Sequence, residues 1–416
     1  MNRALRTTLI VVGAIQALAA HAWDLDARAK LFGNAELLPE DDLQRSVNGT
    51  PAYEASADMR LMFRDAVDSW HLIADLTTLY EVGDQFAFVS LPEETLDQTP
   101  RDDRFRFMNL TWTLEDGPRH QVIQRFDRLA VEYRAEHWGI TVGRDAISWV
   151  GGIVFQPLDI FAPFAPTTVD RDYKTGEDLV KIDGVTEGGS DWQFVGVFRR
   201  NVEGERTTSV DSFGGKWRGT IGATEIEFVG GRHFRDEVFG TSVRHSLGGA
   251  LLRTDWLVTD LDEGGCCKVS GIVNLDYSFT WLERNWYVFA EYFHNGFGTN
   301  DQPIELNDLP TPLRDRLLRG ELFTLMQDYT ALGAQLQWHP LLTQSLTLLT
   351  NLHDGSSLVQ TQLSYEPSDS QHLDAGYVRN LGGTGDEYGA IPLPAPAIGL
   401  TTGGGSQWYL RWAYYW

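Results

Sequence analysis

Residues 407–416 read QWYLRWAYYW. Counting back from Trp416, every second residue is apolar: Tyr414, Trp412, Leu410 and Trp408. Arg411 falls between them. An apolar face of period two marks a strand, not a helix. Chain ends are usually polar and loosely held, whereas this one is aromatic. Either it is the half-buried edge of a soluble sheet, or something outside the protein solvates one of its faces.

The same pattern recurs along the chain. In WDLDARAKL, residues 23–31, Trp23, Leu25, Ala27, Ala29 and Leu31 alternate with Asp24, Asp26, Arg28 and Lys30. Tyr53 to Phe63, Trp70 to Tyr80, Val269 to Trp281 and Leu332 to Trp338 alternate in the same way. These runs predict about 16 strands, with 18 as the upper count, each ~9–12 residues long, enough to cross a bilayer at a tilt. Trp23, Trp70, Trp138, Trp281, Trp286 and Trp338 fall near the ends of runs, where an indole meets both lipid and water. A soluble sandwich also alternates, but it seldom needs so many strands and does not gather aromatics at their ends. A closed barrel leaves no unpaired backbone edge in lipid. The chain therefore reads as all-β, a single closed antiparallel transmembrane β-barrel over residues 23–416.

The remaining composition agrees. Residues 1–22 carry Arg3 and Arg6, an apolar run and Ala20-His21-Ala22, the pattern of a cleaved secretory signal peptide. No later segment approaches the ~20 apolar residues of a membrane helix. A formal net charge of -24 argues against a nucleic-acid partner. The two cysteines, Cys266 and Cys267, are adjacent and build no metal site alone; a vicinal disulfide and a plain turn both stay open. No cofactor is expected.

With its signal peptide, period-two strands and terminal aromatic, the chain resembles Gram-negative outer-membrane β-barrel proteins. That resemblance implies outer-membrane lipid as the surroundings. It also implies that Leu410, Trp412, Tyr414 and Trp416 are read by the barrel-assembly machinery. A second resemblance is more local. Gly143, Arg144, Asp145, Ile147, Trp149, Gly152, Phe155, Pro157, Asp159, Phe161 and Pro163 are similar to a GR-x-x-I-x-W…F-x-P-x-D-x-F-x-P motif of little-characterised porin-like proteins. The family pattern carries Gln where this chain has Asp145.

Physically, Pro157, Pro163 and Pro166 cannot donate to a ladder, so residues 156–167 should be irregular. Lipid excludes irregular backbone. Residues 143–178 are thus expected to form a constriction loop inside the lumen, the alternative being a cap at one end. Strand parity leaves open at which end the loop emerges. Its charges, Arg144, Asp145, Asp159, Asp170, Arg171, Asp172 and Lys174, are the candidates for the pore constriction. Residues 296–328 form a second long loop, with a short helix expected within 311–326.

Parity assigns a lumen wall of Asp24, Asp26, Arg28, Lys30, Glu132, Arg134, Glu225, Glu227, Arg253, Asp255, Asp276, Glu291 and Arg411. Acids exceed bases in that set, which predicts a mild preference for cations. The reading is a porin-like channel for passive diffusion of small hydrophilic solutes. The alternative is the barrel of an export or assembly complex that docks a partner. An enzyme is not expected: His245-Ser246 and His294-Asn295 are the nearest fragments, and neighbours on a strand point to opposite faces.

Overall fold

The computed structural model describes residues 23–88, 102–149, 151–166, 168–169, 173–264, 267–394, 397 and 399–416. The expected signal peptide over 1–22, the charges Asp170, Arg171 and Asp172, and Cys266 lie outside these residues. The first strands are β1 (Asp24–Leu37), β2 (Ala52–Val67), β3 (Trp70–Gly83), β4 (Thr111–Gly117), β5 (His120–Arg134), β6 (Trp138–Asp145) and β7 (Glu177–Val185). Next come β8 (Asp191–Val197), β9 (Ser212–Ile221), β10 (Thr224–His233), β11 (Asp236–Leu247), β12 (Ala250–Asp260), β13 (Lys268–Trp281) and β14 (Arg284–His294). The rest are β15 (Asp328–His339), β16 (Leu342–Asn351), β17 (Ser357–Ser368), β18 (Gln371–Leu381), β19 (Ile391–Pro392), β20 (Thr401–Thr402) and β21 (Ser406–Tyr415).

Each wall strand pairs antiparallel with its neighbours, and β21 closes the ring on β1 from Arg28↔Tyr415 to Leu37↔Ser406. The barrel has 18 strands. The sheet itself contains 19, because one position is shared. β6 pairs with β5 over residues 129–134, then leaves the wall at Asp145. β4 takes the same edge of β5 over residues 120–125. β19 and β20 form a separate small ladder in the last long loop.

Alternation explains the wall. On β13, Val269, Val273, Leu275, Tyr277 and Trp281 are exposed outwards, while Ser270, Ile272 and Asn274 are buried inside. On β21, Trp408 and Leu410 are exposed, as is Trp416 just after it, whereas Arg411 is buried and paired with Asp374 at 2.6 Å. So broad an apolar belt on a charged chain needs lipid to cover it. Among the described residues, no helix is long and apolar enough to cross a membrane.

The two ends differ. Connections 68–69, 135–137, 186–190, 222–223, 248–249, 282–283, 340–341 and 369–370 are short and lie at the end that holds both termini. The long connections, including 146–176, 295–327 and 382–405, share the opposite end. This settles the end at which the 143–178 segment emerges. The helix in the 295–327 connection runs Thr311–Leu318, with Leu313 and Leu317 buried.

Inner faces are not uniformly polar. Leu179, Val195, Val197, Val229, Val238 and Leu257 make an apolar patch on β7, β8 and β10–β12, filled by Ile147, Trp149, Leu158 and Phe161. A second patch runs from Ile272 on β13 to Tyr409 on β21 and receives Ile304, Leu309, Leu313 and Met326. The loops thus fill one side of the barrel, and β1–β5 keep a charged inner face.

Candidate functional site

The described residues of segment 146–176 are fixed against the inner wall at several strands. Glu291 on β14, 2% exposed, accepts from three consecutive backbone amides: Ile153 at 3.0 Å, Val154 at 3.2 Å and Phe155 at 2.8 Å. Asn274 steadies the same carboxylate from β13 at 3.2 Å. The Phe155 ring stacks on Phe293 with centroids 4.3 Å apart. The two glycines before Ile153 permit this approach. A Cβ on Gly151 would lie 1.8 Å from an Asp255 oxygen, and one on Gly152 would lie 1.9 Å from the Phe155 carbonyl. Trp149, buried in the apolar patch, donates its Nε1–H to Gln193 on β8.

The returning arm is held by charge. Lys174 Nζ contacts both oxygens of Asp159, and both residues are buried. Arg128 on β5 donates to the Lys174 carbonyl and pairs with Asp145 at 3.4 Å, while Lys181 takes the other Asp145 oxygen at 2.9 Å. Asp159 and Lys174 therefore close the loop on itself and do not present charge to a passing solute.

Arg144 does not line the channel either. Its side chain is fully buried where β6 leaves the wall. It grips Asp178 on β7 through Nε at 2.7 Å, Asp103 through Nη1 at 3.0 Å and the Met108 carbonyl at 2.7 Å. That network seats residues 103–110 in the place a longer β6 would fill.

A dense group of inward-facing cations lies on β1–β5. Arg28 and Arg60 stand opposite each other in the β1–β2 register. Arg28 pairs with Asp58 at 2.6 Å, and Arg60 with Asp75 at 2.9 Å and Asp127 at 3.0 Å. Lys30 approaches Asp58, Arg64 contacts Asp75 and Arg125 contacts Asp127. Among the described residues, these five cations thus contact three carboxylates along this wall.

Many acids of the parity-assigned wall are engaged by protein groups. Glu291 is engaged by the loop, and Asp255 lies beneath it with Glu227 nearby. Glu225 is paired with Arg244, and Asp276 with Arg253. Asp24, Asp26 and Arg134 are exposed at the short-turn rim, where Arg134 bonds Glu132. Of the parity-assigned wall, Arg28, Lys30, Glu227, Asp255, Glu291 and Arg411 are buried inside. Arg60, Asp75, Arg125, Asp127 and Arg128 belong to the same wall. A bulge between Asp75 and Leu76 in the β3–β5 pairing turns two consecutive residues, Asp127 and Arg128, into the buried interior.

On the long-loop side, a vestibule of about 1880 Å³ is lined by Glu54, Glu81, Arg106, Glu177, Arg199 and Asp236 among others. The 295–327 loop is clasped there through Glu321, which bonds His233 Nε2 at 2.9 Å and Arg319 at 2.7 Å. Ser212 Oγ lies 3.1 Å from His233 Nδ1. That hydroxyl is fully buried and also accepts from Arg199 at 2.8 Å and the Phe234 amide at 3.3 Å, so the trio fastens a loop and offers no nucleophile. Among the described residues, no group of three or more His, Cys, Asp or Glu could hold a metal ion.

Glu387 joins the last long loop to the others. It accepts from the Tyr329 hydroxyl, the Leu325 amide at 2.8 Å and Asn351 at 2.7 Å. Its own amide donates to Asp354 at 2.7 Å. Burial, with Asp354 beside it, pushes the Glu387 carboxyl up to about 7. A raised acid stabilises docking below its unfolded value, and that contribution fades as pH rises through 7. Protection of residues 382–394 from proteolysis should therefore fall between pH 5 and 8, and Glu387→Gln should flatten that dependence.

No family model matches the chain, and no curated protein matches it in sequence. Its architecture is that of solved outer-membrane porins. Pseudomonas aeruginosa OccK2 (OpdF), solved in complex with glucuronate, is similar at TM-score 0.54 and 10% identity, over 94% of this chain and 97% of that one. A BenF-like porin from Pseudomonas fluorescens Pf-5 is similar at TM-score 0.52 and 10% identity, over 94% and 98%. Acinetobacter baumannii OccAB4 is similar at TM-score 0.51 and 9% identity, over 95% and 99%. At these identities the likeness is one of fold.

Proposed function

We propose that this chain is an outer-membrane porin-like channel through which small hydrophilic solutes diffuse passively, with small carboxylate anions favoured. The observation that carries this reading is the charged inner wall of β1–β5, which faces two apolar patches filled by loop residues in an 18-strand barrel. Among the described residues, the cations of this wall outnumber the carboxylates they contact, and the charge along a lumen biases which ions pass. Glucuronate, present in the OccK2 complex, is a solute of this chemical class. By the usual pattern of such barrels, the short turns face the periplasm and the long loops face outwards. The C-terminal residues Leu410, Trp412, Tyr414 and Trp416 then serve as the signal read during assembly.

Purified protein in planar bilayers should give discrete conductance steps. Under a KCl gradient, the reversal potential should carry the sign of anion preference. Absence of steps sinks the channel reading and favours a docking or export barrel. Steps with cation preference sink the carboxylate part alone.

A further inference from the structure

The constriction loop returns to β7 past Tyr173, and this ring lies on the charged wall instead of an apolar one. Its centroid is 4.1 Å from Arg60 Cζ and 4.8 Å from Arg28 Cζ. Both guanidinium groups are buried, while Tyr173 stays 36% exposed. A ring serving only to fill space would sit in one of the two apolar clusters. Tyr173 belongs to neither, and among the described residues its hydroxyl meets Met62 Sδ, at 3.6 Å.

The arginine edges are already engaged. Arg28 points Nη2 at Asp58, and Arg60 points Nη1 and Nη2 at Asp127 and Asp75. A planar cation offers its faces as well as its edges, and an aromatic ring is attracted to a face. Tyr173 covers a face of each arginine. Its place is held through its neighbour Lys174, which Asp159 and Arg128 tie down. Two independent anchors therefore set this ring over two facing cations.

We propose that Tyr173 determines the charge selectivity of the constriction by screening the Arg28–Arg60 pair from solutes in the lumen. The inference rests on the channel reading and adds to it a named residue with a defined sign. With the ring in place, the wall attracts anions less than its cation count implies. Without the ring, water and anions reach the guanidinium faces, and anion preference rises.

The test is reversal potential and unit conductance for the wild type and for Tyr173→Ala, Tyr173→Leu and Tyr173→Phe. Tyr173→Ala should raise the anion-to-cation permeability ratio by about two- to fivefold. Tyr173→Leu, which keeps bulk but has no π face, should raise the ratio as well, with conductance close to wild type. Tyr173→Phe should leave the ratio near wild type. If Ala raises conductance at an unchanged ratio, the ring only fills space and the proposal falls. An unchanged or lowered ratio in Leu overturns it too, and decides the matter should the Ala barrel fail to fold. A wild type without conductance refutes the channel reading; a conducting wild type whose ratio ignores Tyr173 refutes this inference alone.

Discussion

Glu291→Ala should release the 146–176 loop and raise unit conductance by about twofold or more while the barrel stays closed. The carboxylate holds the amides of Ile153, Val154 and Phe155 at 2.8 to 3.2 Å. Each buried N–H left without an acceptor costs about 1–3 kcal/mol, so three together exceed what one packed ring returns. The Phe155–Phe293 stack contributes about 0.5–1.5 kcal/mol beyond its burial and cannot hold the arm alone. The β14 ladder survives, because its backbone pairs with β13 and β15 do not involve the side chain. Glu291→Gln keeps one carbonyl oxygen and should fall between the two. Single-channel recordings check both variants. A wild-type conductance in Glu291→Ala would mean that the loop is held chiefly by its apolar cluster.

The barrel was legible because its governing signal is local. In QWYLRWAYYW, alternation alone places Arg411 inside and Trp408, Leu410 and Trp416 outside, and the structure pairs that strand with WDLDARAKL. The expected strand range reached 18, the number found. Less of the site was legible, for three physical reasons. Where a loop covers the inner wall, both strand faces are apolar, so Leu179, Val195 and Val197 read as ordinary core residues. The bulge at Asp127 and Arg128 breaks the period on which parity depends. The shared position of β4 and β6 concerns which strands are neighbours, and a single strand's pattern carries no such information. Parity therefore found Arg28, Lys30, Glu291 and Arg411. It could not tell Glu291, committed to the loop, from Arg28, set beside the lumen.

Arg144→Ala should destabilise the barrel by about 3–5 kcal/mol, the usual cost of breaking a buried ion pair from one side. Arg144 is wholly buried, and Asp178 and Asp103 keep 2% and 1% of their side chains exposed. Truncation leaves both carboxylates buried and short of their cation, and removes the donor to the Met108 carbonyl. The strain falls where β6 ends and residues 103–110 take over, beside β7, so this is where the wall should open first. Asp178 still accepts from the Met108 amide at 2.6 Å, which cannot balance a negative charge. Arg144→Lys restores charge but not the two-pronged contact with Asp178, and should recover part of the loss. Thermal unfolding in detergent measures the loss, and cleavage near residues 102–110 locates it. Because Arg144 faces protein and not the lumen, the reversal potential of barrels that do fold should equal that of the wild type. A stable Arg144→Ala barrel with altered ion selectivity would return this residue to the pore constriction, where its sequence neighbours first suggested it belonged.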